Sequence, residues 1–329
     1  MRSSSFADSD SAPALSYPIA VAADALGSLY VADSGNHVIK RISPAGEMTI
    51  LAGMPGVAGD VDGVGVAARF RYPSGVAVDI DGTVYVADTA NSAIRRIDPG
   101  GVVSTVAGKQ GEPGVDDGPA DLARFGFPTG LALDVHGVLY IADSSNHAIR
   151  RIGRDGLVTT IAGRAGHVGY RDGPAHESLL WQPWGLAVDS AGRLIFSDSG
   201  SHTIRMLSTD GVTTLFGSAG SRGSRDGNAD QARFDRPTGI SIDARDRIFV
   251  TDSNNHTLRM IDGAEVVTIG GKAGSPGTAD GIEGSSRFNY PFDVEVLGDD
   301  RLAIVELIGH ALRIATETRD SSRRRGISR

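Results

Sequence analysis

The sequence contains no cysteine, which excludes disulfide bridges, thiol catalysis and thiolate metal ligation together. No apolar run approaches the roughly 20 residues that span a bilayer, and the opening Met1-Arg2-Ser3-Ser4-Ser5 is not followed by the apolar core of a signal peptide. The chain is therefore expected to be soluble, with its compartment left open. Aromatic residues make up only 6% of the 329 residues and two of them are tryptophan, so a position that holds one stands out. Positive charge is in deficit. Against 40 Asp and Glu stand 32 Lys and Arg, a formal charge of −8, which disfavours a nucleic-acid partner because neutralising phosphates takes a basic face. Gly-rich phosphate loops, Gly-x-Ser-x-Gly elbows and His-Glu-x-x-His elements are missing too.

What is present is a repeat. The stretch from Phe127 to Gly163 recurs along the chain, with its anchor at Pro18, Pro73, Pro128, Pro183, Pro237 and Pro291, so that six copies follow one another at spacings of 55, 55, 55, 54 and 54 residues. Inside a copy the apolar residues alternate, as in Leu131, Leu133 and Val138, Tyr140, and then in the runs Ala148 to Ile152 and Leu157 to Ile161. Period two separated by turn residues (His136-Gly137, Asp143 to Asn146, Arg154 to Gly156) predicts four short antiparallel strands and no helix. Such a unit cannot cover both faces of its sheet and must stack on its neighbours. Radial stacking leaves only short protected edges, and the expected fold is all-β, a six-bladed β-propeller of four-stranded antiparallel blades.

The last copy is degenerate. Asp293 to Val296, Leu302 to Glu306 and Ala311 to Ile314 stand for three strands and a fourth is not evident, so either the lead-in near Phe6 completes blade six or that blade has three strands. The expected domain runs over residues 15–316, after a flexible lead-in, residues 1–14, and before a basic tail, residues 317–329, expected to be disordered. Connectors between blades repeat an Asp-Gly pair (Asp62, Asp117, Asp172, Asp226, Asp280) and, seven residues on, Arg69, Arg124, Arg233 and Arg287. These read as a repeated loop clamp. The passage from blade three to four departs from this, with Leu179-Leu180.

The run Asp143-Ser144-Ser145-Asn146-His147-Ala148-Ile149-Arg150, repeated from Asp33, Asp88, Asp198 and Asp252, resembles the signature of NHL repeats. The resemblance covers nearly the whole chain and implies a propeller. Propellers of this kind include protein-interaction modules, RNA-binding domains, sensor domains and, among relatives, lyases and hydrolases. The peptidyl-amidating lyases place metal-binding histidines just after the anchor proline, where this chain has Ile19, Ser74, Thr129, Trp184, Thr238 and Phe292. The Glu-Gly-Pro opening of gluconolactonase-like propellers is likewise missing.

A residue that recurs from blade to blade is dispersed around the ring and serves architecture. His37, His147, His202, His256 and His310 occupy one slot in five blades, so they cannot converge on a metal ion, and no metal-ligating residue or cofactor is predicted. The residues that break the repeat carry the functional expectation. Asp293 and Glu295 replace the small pairs Gly75/Ala77, Gly130/Ala132, Gly185/Ala187 and Gly239/Ser241, two apart and hence on one face of the innermost strand. They are candidates for an acid/base pair, or for oxygen ligands of a divalent cation such as Ca²⁺. A second group, His167, Tyr170, His176, Trp181, Gln182 and Trp184, surrounds the passage into blade four and suits a ligand site, with Thr129, Thr238 and Phe292 in the slot that Trp184 fills. The expected function is a ligand-binding or protein-interaction module acting through the channel mouth, with a small molecule, protein or peptide as partner. The alternative is a small-molecule lyase, hydrolase or isomerase with an axial carboxylate site.

Overall fold

A computed structural model describes residues 2–5, 14–282, 284–298 and 300–316; the basic tail from residue 317 lies outside the described residues. Its strands form six antiparallel sheets, one for each repeat, and no α-helix occurs among the described residues. Blade three is typical. Its inner strand Pro128–Leu133 pairs with Leu139–Asp143, then Ala148–Ile152, then the outer strand Leu157–Gly163, in the order the alternation predicts. The connectors add something the repeat did not reveal. Gly63–Val64, Gly118–Pro119 and Gly227–Asn228 each pair with the outer strand of the following blade, so three sheets have five strands.

The ring is closed by the chain's two ends. Blade six takes Pro291–Gly298, Arg301–Glu306 and Ala311–Thr316 from the last copy, and its outermost strand is Arg2–Ser5, antiparallel with Arg2 opposite Thr316 and Ser5 opposite Arg313. Within the lead-in, residues 2–5 thus supply the fourth strand of blade six, while residues 6–13, Phe6 among them, lie outside the described residues. The physical reason is the open edge of Ala311–Thr316, whose backbone donors and acceptors gain partners from any extended segment that lies beside them.

Apolar side chains fill the six seams between neighbouring sheets, one cluster to a seam. Between blades two and three, for example, Ile94 packs with Leu131, Ile141 and Val158 around Phe125, which the connector inserts. Phe70, Phe234 and Phe288 do the same elsewhere, and the buried Leu180 replaces the ring at blade four.

Buried charge ties each connector to its blade. Arg150, fully buried on the third strand, donates from Nη1 to Asp143 Oδ2 at 3.0 Å and from Nη2 to the connector's Asp117 Oδ1 at 2.7 Å. It also donates to the carbonyls of Arg124 and Asp116 and lies over the Phe125 ring. Arg95, Arg205, Arg259 and Arg313 repeat this arrangement, and Lys40 pairs with Asp33 in blade one. The clamp therefore joins the connector aspartate to the arginine of the third strand. The connector arginines Arg69, Arg233 and Arg287 instead donate to carbonyls of their own loops. The histidines are architectural as expected: His37, His147, His202, His256 and His310 each accept, at Nδ1, the amide of the residue before the next blade's proline.

Candidate functional site

The inner strands meet around the axis so closely that their small residues are obligatory. A Cβ on Gly130 would lie 2.0 Å from the Trp184 carbonyl oxygen, and one on Gly185 would lie 2.2 Å from that of Thr238. Backbone there packs on backbone. The channel inside encloses about 230 Å³ and is walled mainly by Ala, Val, Leu, Gly and Ile from the inner strands. Its two charged residues are Asp293 and Glu295, both half-buried, where the sequence placed them.

The carboxylates reach sideways across the seams. Asp293 Oδ2 accepts the Val21 amide of blade one at 3.0 Å, and Glu295 Oε2 accepts the Ser241 hydroxyl of blade five at 3.1 Å. Ser241 Oγ in turn accepts the Val296 amide. No cation offsets either charge among the partners so described. Loss of solvent pushes Asp293 up to about 8, with Glu295 adding repulsion and the Val21 amide acting the other way. Loss of solvent likewise pushes Glu295 up to about 7, moderated by the Ser241 hydroxyl. Two neighbouring carboxylates of this kind titrate as a pair, and at neutral pH they hold protons between them.

At the end of the channel next to Asp293 stands an aromatic platform. Trp184 meets Phe292 edge to face at 5.2 Å between ring centroids, and Phe292 stacks with Tyr290 at 6.2 Å. The Tyr290 hydroxyl donates to Asn254 Oδ1, which fixes the ring. Trp184 and Phe292 each follow the proline that starts their inner strand, and this shared position brings the two rings together at that end of the strands.

The remaining candidates do not join this group. Thr129 and Thr238 are buried, and their hydroxyls bond to Ser144 and to the Phe292 carbonyl and Ser253 respectively. They fasten turns to neighbouring blades. His167, Tyr170, His176 and Trp181 lie on the connector between blades three and four and do not line the channel. Tyr170 is 56% exposed, and Trp181, 39% exposed, covers Gly200, where a Cβ would come 2.5 Å from its ring. Sequence reasoning passed over Tyr290 and Ser241. The signal for Ser241 was a hydroxyl in a slot that holds Ala22, Ala77, Ala132 and Ala187 elsewhere. Among the described residues no three of His, Cys, Asp and Glu gather closely enough to hold a metal ion, and no helix is long and apolar enough to cross a membrane.

Comparison with known proteins agrees with the geometry. The NHL repeat family matches residues 15–42, 125–152, 180–206 and 234–259, and the teneurin NHL domain family matches residues 55–115. The chain is 30% identical over 334 residues to NHL repeat-containing protein 2 of Gallus gallus, covering 88% of this chain and 45% of that protein. It spans less than half the length of the curated relatives it matches first, 26%, 37% and 45% of them. Among solved structures, an auxiliary nutrient binding protein from Bacteroides ovatus superposes with a TM-score of 0.69 at 15% identity, covering 96% of this chain and 77% of that one. Virginiamycin B lyase from Staphylococcus aureus superposes with a TM-score of 0.57 at 15% identity, covering 93% and 81%. At such identities these two likenesses show the fold alone. With the signature repeats, the blade order and the relatives in accord, the chain belongs to the NHL-repeat β-propeller family.

Proposed function

We propose that this propeller is a binding module whose channel mouth receives the cationic or hydrogen-bond-donating head of a small molecule or peptide. The observation that carries the reading is the edge-to-face pair of Trp184 and Phe292 at the start of the inner strands, with Asp293 the next residue after Phe292, in a channel otherwise walled by small and apolar side chains. Aromatic faces and a carboxylate without a cationic partner both favour an ammonium group. A bound cation also favours the ionised carboxylates, so binding releases protons and affinity rises with pH through 7 to 8.

The test uses Trp181→Phe protein, in which Trp184 is the only tryptophan left of two. Titration with putrescine, choline and a lysine-bearing peptide is expected to quench its fluorescence, and Asp293→Asn to weaken the response about tenfold or more, as for loss of a charged hydrogen bond. An unresponsive Trp184, or a response indifferent to Asp293, overturns the reading.

A second reading is favoured by the two raised pKa values. With both carboxyls raised by burial, to about 8 and about 7, the pair retains a proton at neutral pH that an ordinary carboxylate would have lost, which suits acid/base work in a lyase, hydrolase or isomerase. Turnover that survives Asp293→Asn with Glu295→Gln removes it. A divalent cation such as Ca²⁺ would find two carboxylates where it takes six to eight oxygens; unchanged thermal stability on adding Ca²⁺ removes that option.

A further inference from the structure

A second cavity lies at the seam between the last blade and the first, on the side of Glu295 away from the aromatic mouth, and encloses about 260 Å³. Its origin is the unusual inner hairpin of blade six. The strand Pro291–Gly298 has 8 residues where Pro128–Leu133 has 6, and the register of its pairing with Arg301–Glu306 shifts between Val296 and Gly298. Leu29, Val296, Leu297 and Ile314 supply an apolar wall.

Three charged residues line this space, Asp24, Glu295 and Arg301. Asp24 is committed to its own turn: Oδ1 accepts the amides of Leu26 and Ser28, and Oδ2 accepts the Tyr30 hydroxyl. Asp134 does the same in blade three with His136, Val138 and Tyr140, so this device is architectural. Glu295 has no such counterpart in the repeat, while Arg301 fills the slot of Arg193 and Arg247, which bind Asp189 and Asp243 of their own turns; in blade six that acid is replaced by Leu297. Arg301 is exposed, and among the described residues its guanidinium enters no ion pair. Glu295 lies at the boundary, lining the channel as well as the seam cavity.

We propose that the seam cavity binds a single apolar α-amino acid as its zwitterion, with the ammonium group at Glu295, the carboxylate on Arg301 and the side chain against Leu29, Val296, Leu297 and Ile314. A guanidinium grips a carboxylate through paired parallel hydrogen bonds. A space of this volume falls just short of the roughly 300–1,000 Å³ that drug-sized ligands occupy, which suits a molecule of amino-acid size. The site is distinct from the channel mouth, although Glu295 borders both, so the decisive substitutions are at Arg301 and Trp184.

Calorimetric titration and thermal shift of the full chain with valine, leucine and methionine test this. At least one is expected to bind and raise the melting temperature. For leucine, the matching amine lacking the carboxylate (isoamylamine) and the matching acid lacking the amine (4-methylpentanoate) should each bind about tenfold or more weakly, as loss of one charged contact implies. Arg301→Gln, at an exposed position, should lose affinity by the same factor with the melting temperature of the free protein retained, while Trp184→Ala leaves it unchanged. The proposal is overturned if none of the three amino acids binds, if Arg301→Gln binds as well as the parent, or if Trp184→Ala abolishes binding. The last result would put the ligand in the channel.

Discussion

Blades two to five and blade six descend from one repeat, yet they dispose of charge in opposite ways. In the regular blades the fully buried arginines sit away from the axis, under the connectors, and are neutralised there: Arg95 by Asp88 and Asp62, Arg150 by Asp143 and Asp117. Their inner strands hold only small residues at the two channel-facing slots. Blade six keeps the outer clamp, with Arg313 bound to Glu306 and Asp280 at 2.7 Å each. It also carries Asp293 and Glu295 on the inner strand, with an amide and a hydroxyl as partners in place of a guanidinium. In carrying these acids, blade six therefore diverges at the inner strand, besides taking its outer strand from the start of the chain. Charges that repeat hold the ring together, and charges that do not repeat are held ready at an opening.

If the clamp is structural, breaking it should give the largest loss of stability in the molecule. Arg150→Met leaves Asp143 and Asp117 without their cation, and removing one partner of a buried pair costs about 3–5 kcal/mol. Chemical denaturation is expected to show that loss, with ligand affinity at the channel unchanged once folded protein is corrected for. A stability loss under 1 kcal/mol, on the order of a surface pair, would erase the distinction between the two kinds of charge. The next largest effect concerns the inner strands. Gly130→Ala forces a methyl group against the Trp184 carbonyl and should cost about 1–3 kcal/mol as an overpacked contact. Asp293→Ala, in the equivalent slot of blade six, meets no such wall and should be tolerated.

The sequence made the ring legible because strand alternation and turn residues repeat with almost no drift, and the small inner slots at Gly75, Gly130, Gly185 and Gly239 pointed to the crowded axis. Asp293, Glu295, Trp184 and Phe292 could be placed together for the same reason. What stayed hidden depends on contacts distant along the chain. Arg95 and Asp62 are 33 residues apart, and nothing in a single repeat shows that the clamp skips the connector arginine for the third strand. The pairing of Arg2–Ser5 with Ala311–Thr316 joins opposite ends of the chain, and a polar run gives no strand signal of its own. Trp181 and Trp184 looked alike by composition; the intervening proline turns one over Gly200 and the other into the channel rim.

The effect most specific to blade six is a pH dependence of stability that reaches up to about pH 8, whereas the buried Asp88, Asp198 and Asp252 of the regular blades are raised only to about 6. Asp293 is raised by burial from an ordinary carboxyl value near 4 to about 8, so the folded chain binds more protons than the unfolded chain between those limits. Stability on this account is full below pH 4, falls as the pH rises, and has lost its whole share above pH 8. Asp293→Asn keeps an oxygen to accept the Val21 amide and removes the titration, as well as the repulsion that Glu295 feels. The variant should therefore melt with the parent near pH 4 and above it at pH 9. Even one unit of the shift is about 1.4 kcal/mol, which moves the melting temperature by about 2–4 °C in a chain of this order of size. Parallel melting curves for the two proteins from pH 4 to 9 would mean that solvent reaches Asp293 freely. The contrast between paired outer charges and withheld inner ones would then lose its energetic basis.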